Sequence, residues 1–557
     1  MDSNHKEVLS GKKAFAIWAQ GKQVWNLWVE EHPDADVIFQ DMVFPTEGLT
    51  EIFSEDLDTE FEGFDFEGFN FPNGYVDFSG CRFGKANLVS FKGASFGRKG
   101  VSFKNAHFGN AHVDFSDAKF STSSVNFSGV CFGDGHSSIS FRNAEFNCED
   151  INFSFTRFGW GYVDFAKCTF KGSNINFMHA KFTGELVKES DPKGYYNRLI
   201  NFSQARFQGG RARFSEAQFG DRELYFADVI FSNTSTAFDS ITFGANLLDF
   251  SNTIFENGPV VFSQSKIIGA EVRFNSVQFL NGYINFSRSD FCNSILSFDK
   301  AKFGKTKVNF QNIVFGSSTK FSDIEIDREA DSFSFRFSDF RGSFEFSTNA
   351  EITVIPDLVG TKTNNHVSLR GLRCSMKRNE KGVRKAALDT SDSERFGRLK
   401  EIAESNKDHE SALRFHADEM RAKRWNSVGI GASLLDALFD VTSRYGQSIA
   451  RPFLWLLFFM ISLTLYTVGY VPYSPNWFDN MKSIDTQTWL NGFNVALNKT
   501  IPFLASVKEE GKTAYQTLND AGVLPEHYGP VSTLFFALPS FILLFLIGLG
   551  LRNRFRV

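Results

Sequence analysis

Cysteine and proline are scarce in this chain. Its 557 residues include 6 Cys and 13 Pro, and the cysteines follow no pairing rhythm. Such usage excludes a disulfide framework and favours a reducing compartment. The first residues, MDSNHKEVLSGKK, contain no apolar core of a secretory signal, so we expect none.

An excess of one charge and the common catalytic signatures are also absent. The chain carries 59 basic and 64 acidic residues, a balance that argues against a nucleic-acid coat protein. It contains no phosphate-binding P-loop, zinc-protease, nucleophile-elbow or paired C-x-x-C motif. We therefore predict a protein that is not an enzyme and has no catalytic residue, metal site or cofactor.

Phenylalanine, in contrast, is abundant and periodic. The chain has 68 Phe against 8 Trp and 12 Tyr. Pairs of Phe five residues apart recur, mostly at 12-residue steps, from Phe66/Phe71 to Phe310/Phe315. The ladder has 20 such units and one interruption, and Ile267 is its single replacement. A repeat this regular predicts a stack of equivalent structural units.

Each unit alternates large and small apolar positions. It reads V/I-x-F-x-x-A-x-F, as in Val101, Phe103, Ala106 and Phe108. Alternation with period two predicts short strands whose large and small side chains point inward. Coils stacked at about 4.8 Å would place like side chains above one another, giving columns of Phe. The predicted fold class is therefore mainly β, a solenoid.

The F-x-x-A-x-F ladder resembles the Phe-type pentapeptide-repeat family. The resemblance implies a right-handed, four-sided β-helix in which two units make one coil. Residues 61–346 would then form on the order of 12 coils and a rod of roughly 55–60 Å. We assign residues 51–350 to this β-helix.

Two segments interrupt or precede the ladder. Residues 11–31, within an N-terminal region 1–50, place five apolar side chains at helical spacing, which predicts an amphipathic cap over the first coil. A partner-binding helix is the alternative. The insertion at 183–199 predicts a surface loop, with a ligand or subunit contact as the alternative. The five side chains of the predicted cap are Phe15, Trp18, Val24, Trp25 and Trp28.

A basic run and two amphipathic helices form a predicted connector at 351–425. Its patterns place the helices on either side of Asn406–Asp408, and the stretch resembles the connector that joins such rods to membrane helices. The basic run is either a juxtamembrane segment drawn to anionic lipid or a site for a nucleotide or single-stranded oligonucleotide signal made by a partner enzyme. Its members are Arg370, Arg373, Lys377, Arg378, Lys381, Arg384 and Lys385.

Two uncharged apolar runs predict membrane spans at 453–471 and 531–551, inside a channel-like domain 452–557. Arginines precede the first run and follow the second, so both termini and the β-helix are expected in the cytoplasm. Residues 426–451 predict an interfacial helix, like the slide helix of inward-rectifier channels. Packing on the connector helices is the alternative.

Between the spans, residues 488–504 predict a re-entrant pore helix. Its apolar side chains recur every four residues at Trp489, Phe493, Leu497 and Ile501. An amphipathic helix that lies on the extracytoplasmic surface of the membrane is the alternative. No T-V-G-Y-G follows, so selectivity for K⁺ is not expected. The pore-lining candidates are Asn498, Lys499, Thr500 and Phe503.

This layout resembles the channel-forming membrane effectors of Hailong-type anti-phage defence systems. The resemblance implies a homotetrameric channel in a bacterial inner membrane that single-stranded oligodeoxyadenylate holds shut until infection. The sequence therefore predicts a ligand-gated ion channel whose partners are its own copies, the lipid bilayer and an oligonucleotide signal. A membrane-anchored β-helix scaffold without a pore is the alternative.

Overall fold

The chain divides into two compact units, one of Met1–Lys377 with Glu401–Asp408 and one of Arg378–Lys400 with His409–Val557. The structure is a computed structural model that describes residues 7–44, 63–84, 86–133, 137–183, 199–244, 246–379, 385–469, 484–503, 505–525 and 527–555. The first unit is a parallel β-solenoid of about 13 turns, and the second is helical. The predicted fold class is confirmed at this level.

Short parallel strands form four columns, one for each side of the coil, because like positions of successive turns pair with one another. Val125, for example, pairs with Val101 of the preceding turn. The first face contains Val8–Ser10, Asp36–Ile38, Tyr75–Asp77, Gly100–Ser102, Ser124–Asn126, Asp150–Asn152, Asn174–Asn176, Arg211–Arg213, Ser235–Ala237, Val260–Val261 and Ser332–Ser334. The second face begins as single bridges at Arg82, His107, Cys131, Arg157 and Lys181 and continues as Gln218–Gly220, Thr242–Phe243, Lys266–Ile267, Asp290–Phe291, Val314–Phe315, Asp339–Phe340 and Lys362–Thr363.

The two remaining faces complete each turn. The third face contains Gly63–Asp65, Leu88–Ser90, His112–Asp114, Ile139–Ser140, Val163–Asp164, Leu199–Asn201, Glu223–Tyr225, Leu247–Asp249, Glu271–Arg273, Ile295–Ser297, Ser318–Ile326, Ser343–Thr348 and Val367–Ser368. The fourth contains Ser95–Phe96, Lys119–Phe120, Glu145–Asn147, Thr169–Lys171, Arg206–Gln208, Ile230–Ser232, Ile254–Phe255, Gln278–Asn285 and Lys302–Asn309. The last two strands turn the corner and continue on the first face, where Ile284 pairs with Val260 and Val308 with Phe333. Because each strand pairs with the turns above and below it, backbone edges are buried along the stack.

Stacked phenylalanine rings fill the core of the solenoid. The ring of Phe226 lies 4.7 Å from that of Phe202 and 4.9 Å from that of Phe250, nearly parallel to both. Rings of the neighbouring column meet it edge-on, at 5.5 Å for Phe214 and 5.3 Å for Phe238. Both arrangements are favourable for aromatic quadrupoles, so the predicted columns form a close-packed core.

The second inward position of each unit varies more than the position of the Phe rings. It is alanine in many units and cysteine, valine, isoleucine, threonine or serine in others. Where the residue carries a hydroxyl, that group donates to a backbone carbonyl: Thr253 Oγ1 to Phe226 at 2.6 Å, and Ser265 Oγ to Phe238 at 2.9 Å. These two buried hydroxyls are therefore paired, as stability requires.

Two helices, α1 (Gly11–Trp18) and α2 (Lys22–Glu31), cover the first turns in place of the single helix expected from the spacing. The chain breaks between them at Gly21, whose φ of 91° favours glycine. Trp18 and Trp25 are buried against the first Phe rings, and Trp25 Nε1 donates to the Asn70 carbonyl at 2.8 Å. Val24, expected on the covered side, is exposed because the break rotates α2.

A fully buried arginine hydrogen-bonds to backbone carbonyls on both sides of the point where the Phe ladder is interrupted. Arg222 donates to the carbonyls of Phe182 and Leu199, at 3.0 and 3.1 Å, and also to those of Gly159 and Gly161. Burial lowers the pKa of this guanidinium to about 9. Phe182 and Leu199 flank the predicted loop, most of which lies outside the described residues. The arginine thus ties together the two chain ends that border the insertion.

The C-terminal region is helical. It contains α3 (Asp392–Ser405), α4 (His409–Lys423), α5 (Ile430–Ser443), α6 (Ala450–Thr467), α7 (Thr486–Thr500), α8 (Ala505–Asp520), α9 (Tyr528–Val531), a π-helical segment Ser532–Ala537 and α10 (Leu538–Phe555). Helix α6 and the continuous stretch Tyr528–Phe555 are each long and apolar enough to cross a membrane. Both are shifted by a few residues from the predicted spans.

Candidate functional site

A helical hairpin occupies the sequence between the two span-length helices. Asp485 caps the N-terminus of α7, where its carboxylate accepts a hydrogen bond from the Thr488 amide. After a short turn, α8 runs back antiparallel to α7. Leu463 of α6, Val495 and Ala496 of α7, and Leu518 of α8 share one buried cluster. The hairpin is therefore packed against the first span-length helix.

The buried face of α7 is its small-residue face. Gly492, Val495, Ala496 and Thr500 are buried, whereas Phe493 of the expected apolar face is exposed. Close approach of α6 and α8 explains this, because a Cβ placed on Gly511 of α8 would collide with the Asn498 Cβ. The large apolar side chains of α7 consequently point away from the hairpin core.

The four predicted pore-lining residues lie together at the end of α7 and in the turn after it. Asn498 and Lys499 are half-buried, and Phe503 is 70% exposed. Thr500 is fully buried, and its hydroxyl donates to the Ala496 carbonyl at 2.9 Å. Three of the four therefore present side-chain surface to the surroundings of this protomer, and Thr500 does not.

An ion-paired cluster joins α4 to α5, the helix that precedes the first span-length helix. Arg424 Nε donates to Asp436 Oδ2 at 2.5 Å, and its Nη2 donates to Asp440 Oδ2 at 3.0 Å. Arg421 holds Asp440 at 2.7 Å, and the Tyr445 hydroxyl donates to Asp436 at 2.9 Å. We call these five residues the α4–α5 joint.

The joint is charged but largely shielded from solvent, since the side chains of Arg424 and Asp436 are only 13% and 11% exposed. Burial alone would raise the pKa of Asp440, yet the hydrogen bonds from Arg421 and Arg424 outweigh it and hold that pKa below its usual value. Burial and the Asp436 carboxylate raise the pKa of Tyr445, which therefore stays a neutral donor. The lowered pKa of Asp440 stabilises the joint at neutral pH, and that contribution is lost only as the pH falls through it.

The opposite face of α5 is apolar and uncovered in this chain. Its polar face is occupied by the joint, so α5 packs on the connector helix α4, as one alternative for residues 426–451 predicted, and its position at the membrane interface stays a prediction. Leu435 is 70% exposed. The exposed apolar side chains of this face are Ile430, Leu434, Leu435, Leu438 and Val441.

The predicted basic run is divided between the two units. Arg370, Arg373 and Lys377 are exposed at the end of the solenoid unit, and Lys377 Nζ donates to the Ala330 carbonyl at 3.5 Å. Arg378 and Lys385 are exposed in the helical unit. Lys381 and Arg384 lie outside the described residues.

The α4–α5 joint was not among the sequence-based predictions, although the sequence contains a signal for it. Arg421 and Arg424 are three residues apart on one helix, and Asp436 and Asp440 are four apart on the next. Each pair therefore lies on one helix face. Two such faces of opposite charge, joined by a short connection, favour an antiparallel ion-paired contact.

No protein family, curated protein or solved structure matches this chain. The class of the protein follows from the fold itself. It is a parallel β-solenoid protein with a C-terminal helical region that contains two helices of membrane-spanning length and composition.

Proposed function

We propose that this chain is the subunit of a ligand-gated ion channel in a bacterial inner membrane, an effector of anti-phage defence rather than an enzyme. Four copies form the pore, and both termini and the solenoid lie in the cytoplasm. A polyanionic signal controls opening, with the basic run as one place where phosphates are neutralised.

The hairpin between the span-length helices carries this proposal. Two spans that only anchor a protein need no more than a linker between them. In this chain the segment between them forms two helices, α7 and α8, which share a buried apolar core with α6. The side of α7 that faces away from this core carries exposed Leu490 and Phe493, and Lys499 and Phe503 keep exposed side-chain surface at the end of α7 and in the turn after it. In a closed ring of subunits the end of this hairpin is placed to meet the central axis or a neighbouring copy.

The charges that flank the helices support the orientation. Arg444 precedes α6, Arg451 lies in its first turn, and Arg552 and Arg554 lie in the last turn of α10. Positive charge at both outer ends favours cytoplasmic termini when two helices cross. The exposed apolar face of α5 then lies at the inner surface of the bilayer, where an amphipathic helix is stable.

Ion flux through liposomes that contain the purified full-length chain tests the proposal. We expect the chain to be a homotetramer in detergent and to release a trapped ion, because a two-span subunit needs several copies to enclose a pore. Light scattering and a fluorescent flux dye are the measurements. A monodisperse monomer, or tetramers that pass no ions with or without oligonucleotide, would leave the scaffold as the better description.

The contact between α7 and α8 gives a second, independent test. Gly511→Leu is expected to abolish flux, because the larger side chain cannot coexist with Asn498 at this contact and must separate the two helices. The solenoid should melt as in the wild type. Gly548→Leu, on an open side of α10, is the matched control and should conduct normally. Equal flux in both variants would contradict the role of the hairpin.

A further inference from the structure

The turn between α5 and α6 packs closely on the C-terminal end of α10. Asn553 Nδ2 donates to the Gly446 carbonyl at 3.2 Å. A Cβ placed on Gly446 would lie 3.0 Å from the Leu549 side chain, and a Cβ placed on Gly550 would lie 3.0 Å from that of Ile449. The end of α5, the start of α6 and the end of α10 therefore meet at one corner of the helical unit.

Four exposed arginines flank this contact, and we call them the arginine corner. One follows the last residue of α5, one lies in the first turn of α6, and two lie in the last turn of α10, on either side of Asn553. Arg451 Nη1 donates to the Asp440 carbonyl at 3.2 Å, and the Arg444 amide donates to the same carbonyl at 2.8 Å, so the Arg451 guanidinium lies at the end of α5. The four are Arg444, Arg451, Arg552 and Arg554.

The positive charge of the arginine corner is not balanced by carboxylates. Within the part of the chain that the structure describes, none of the four arginines forms an ion pair. The Asp440 carboxylate belongs to the residue whose backbone the corner contacts, but Arg421 and Arg424 of the α4–α5 joint already hold it. Cations that repel one another without a counter-charge favour an anionic ligand.

Apolar side chains continue from the corner along the two helices of membrane-spanning length. Phe453 and Leu454 of α6 are exposed, and so are Leu551 and Phe555 of α10. A charged end beside an apolar flank matches a phospholipid, in which a phosphate and acyl chains are joined in the same order. A soluble phosphate would use the arginines alone and would leave these apolar side chains unused.

We propose that the arginine corner is a binding site for the phosphate of an anionic phospholipid, whose acyl chains lie against the apolar flank of α6 and α10. Arginine suits this ligand because its planar guanidinium donates two hydrogen bonds to one phosphate. Basic pockets between membrane helices on the cytoplasmic side bind phospholipid headgroups in this way. The inference rests on the proposed function only in placing α6 and α10 across the bilayer.

Native mass spectrometry of the full-length protein in detergent, titrated with dioleoyl phosphatidylglycerol or dioleoyl phosphatidylcholine, tests the site. The two lipids have the same acyl chains, so a difference in affinity reports the headgroup. We expect the wild type to prefer phosphatidylglycerol. R444Q/R451Q and R552Q/R554Q should each weaken its binding about 25-fold, because each arginine near a membrane surface accounts for about a fivefold change. Affinity for phosphatidylcholine should stay the same.

Two further variants separate a specific site from general charge. K508Q/K512Q removes two exposed cations of α8, which is not part of the corner, and is the matched control. It should bind phosphatidylglycerol as the wild type does. R552K/R554K keeps the positive charge that orients the chain in the membrane but loses the planar guanidinium. Its affinity should lie between those of the wild type and R552Q/R554Q.

The outcomes separate this inference from the channel proposal. Equal affinity of the wild type for the two lipids would overturn the site, as would unchanged affinity for phosphatidylglycerol in both arginine-to-glutamine variants or an equal loss in K508Q/K512Q. Full displacement of phosphatidylglycerol by inorganic phosphate would assign the corner to a free phosphate and overturn the choice of a lipid. A protein that binds phosphatidylglycerol through the corner yet passes no ions keeps the site and removes the channel.

Discussion

Phe226→Ala is expected to destabilise the solenoid by about 3–5 kcal/mol, the usual effect of truncating a buried phenylalanine. Phe226 is fully buried and touches four other rings, two stacked on it and two edge-on. Its loss leaves a cavity that stacked strands cannot collapse, because their spacing is fixed by hydrogen bonds. The midpoint of thermal unfolding, followed by circular dichroism, should fall by roughly 4–7 °C, since the shift per kcal/mol decreases as the unfolding entropy grows with the size of the unit.

Phe337→Ala is the matched control for that experiment. It removes the same side chain from the same solenoid, but at a site where the ring is mostly exposed. Surface substitutions of this kind usually change stability by less than about 0.5 kcal/mol. If Phe226→Ala melted like Phe337→Ala, the stacked columns would contribute little, and the solenoid would owe its stability to its backbone pairing.

Arg424→Ala should uncouple ligand binding from ion flux. In this variant Asp436 and Asp440 stay shielded from solvent, but they lose the Arg424 guanidinium that forms ion pairs with both. Breaking a buried ion pair from one side costs about 3–5 kcal/mol, and the slight exposure of this one places it at the lower end. Helix α5 should then leave α4, so flux in liposomes becomes independent of added oligonucleotide while the tetramer persists.

Two further variants decide whether the joint itself is responsible. The pair Arg424→Gln with Asp436→Asn keeps neutral hydrogen bonds and should restore part of the coupling. Arg328→Ala removes an exposed arginine of the solenoid and should change nothing. Ligand-dependent flux that persists in Arg424→Ala would show that the signal reaches the membrane helices by another route.

The solenoid could be predicted because its sequence repeats the same burial pattern in every turn. Phe66 stacks on Phe91 at 4.6 Å, and the pattern continues as the ladder indicated. The cap was harder to predict, since tryptophans spaced as in one helix are also compatible with two. Only the φ of 91° at Gly21 reveals the break, although glycine at that point is a recognisable signal.

The site was less predictable because it depends on contacts between helices. Hydropathy favoured the face of α7 that carries Trp489 and Phe493, but helices in close contact select small side chains, and Gly492 and Ala496 lie inside. The alignment of side chains along the second face was also not evident from the sequence. Arg82, His107 and Arg157 are far apart in the chain, and only the register of the turns aligns them.

The register of the Phe columns restricts changes in the length of the solenoid to whole turns. Val125 pairs with Val101 and Phe250 stacks on Phe226, each 24 residues further along the chain. A duplication or deletion of one such block keeps every column aligned and changes the length by about 4.8 Å. Any other change of length must leave the coil as a loop. Evolution can therefore set the reach of this protein in whole turns without redesigning its interior.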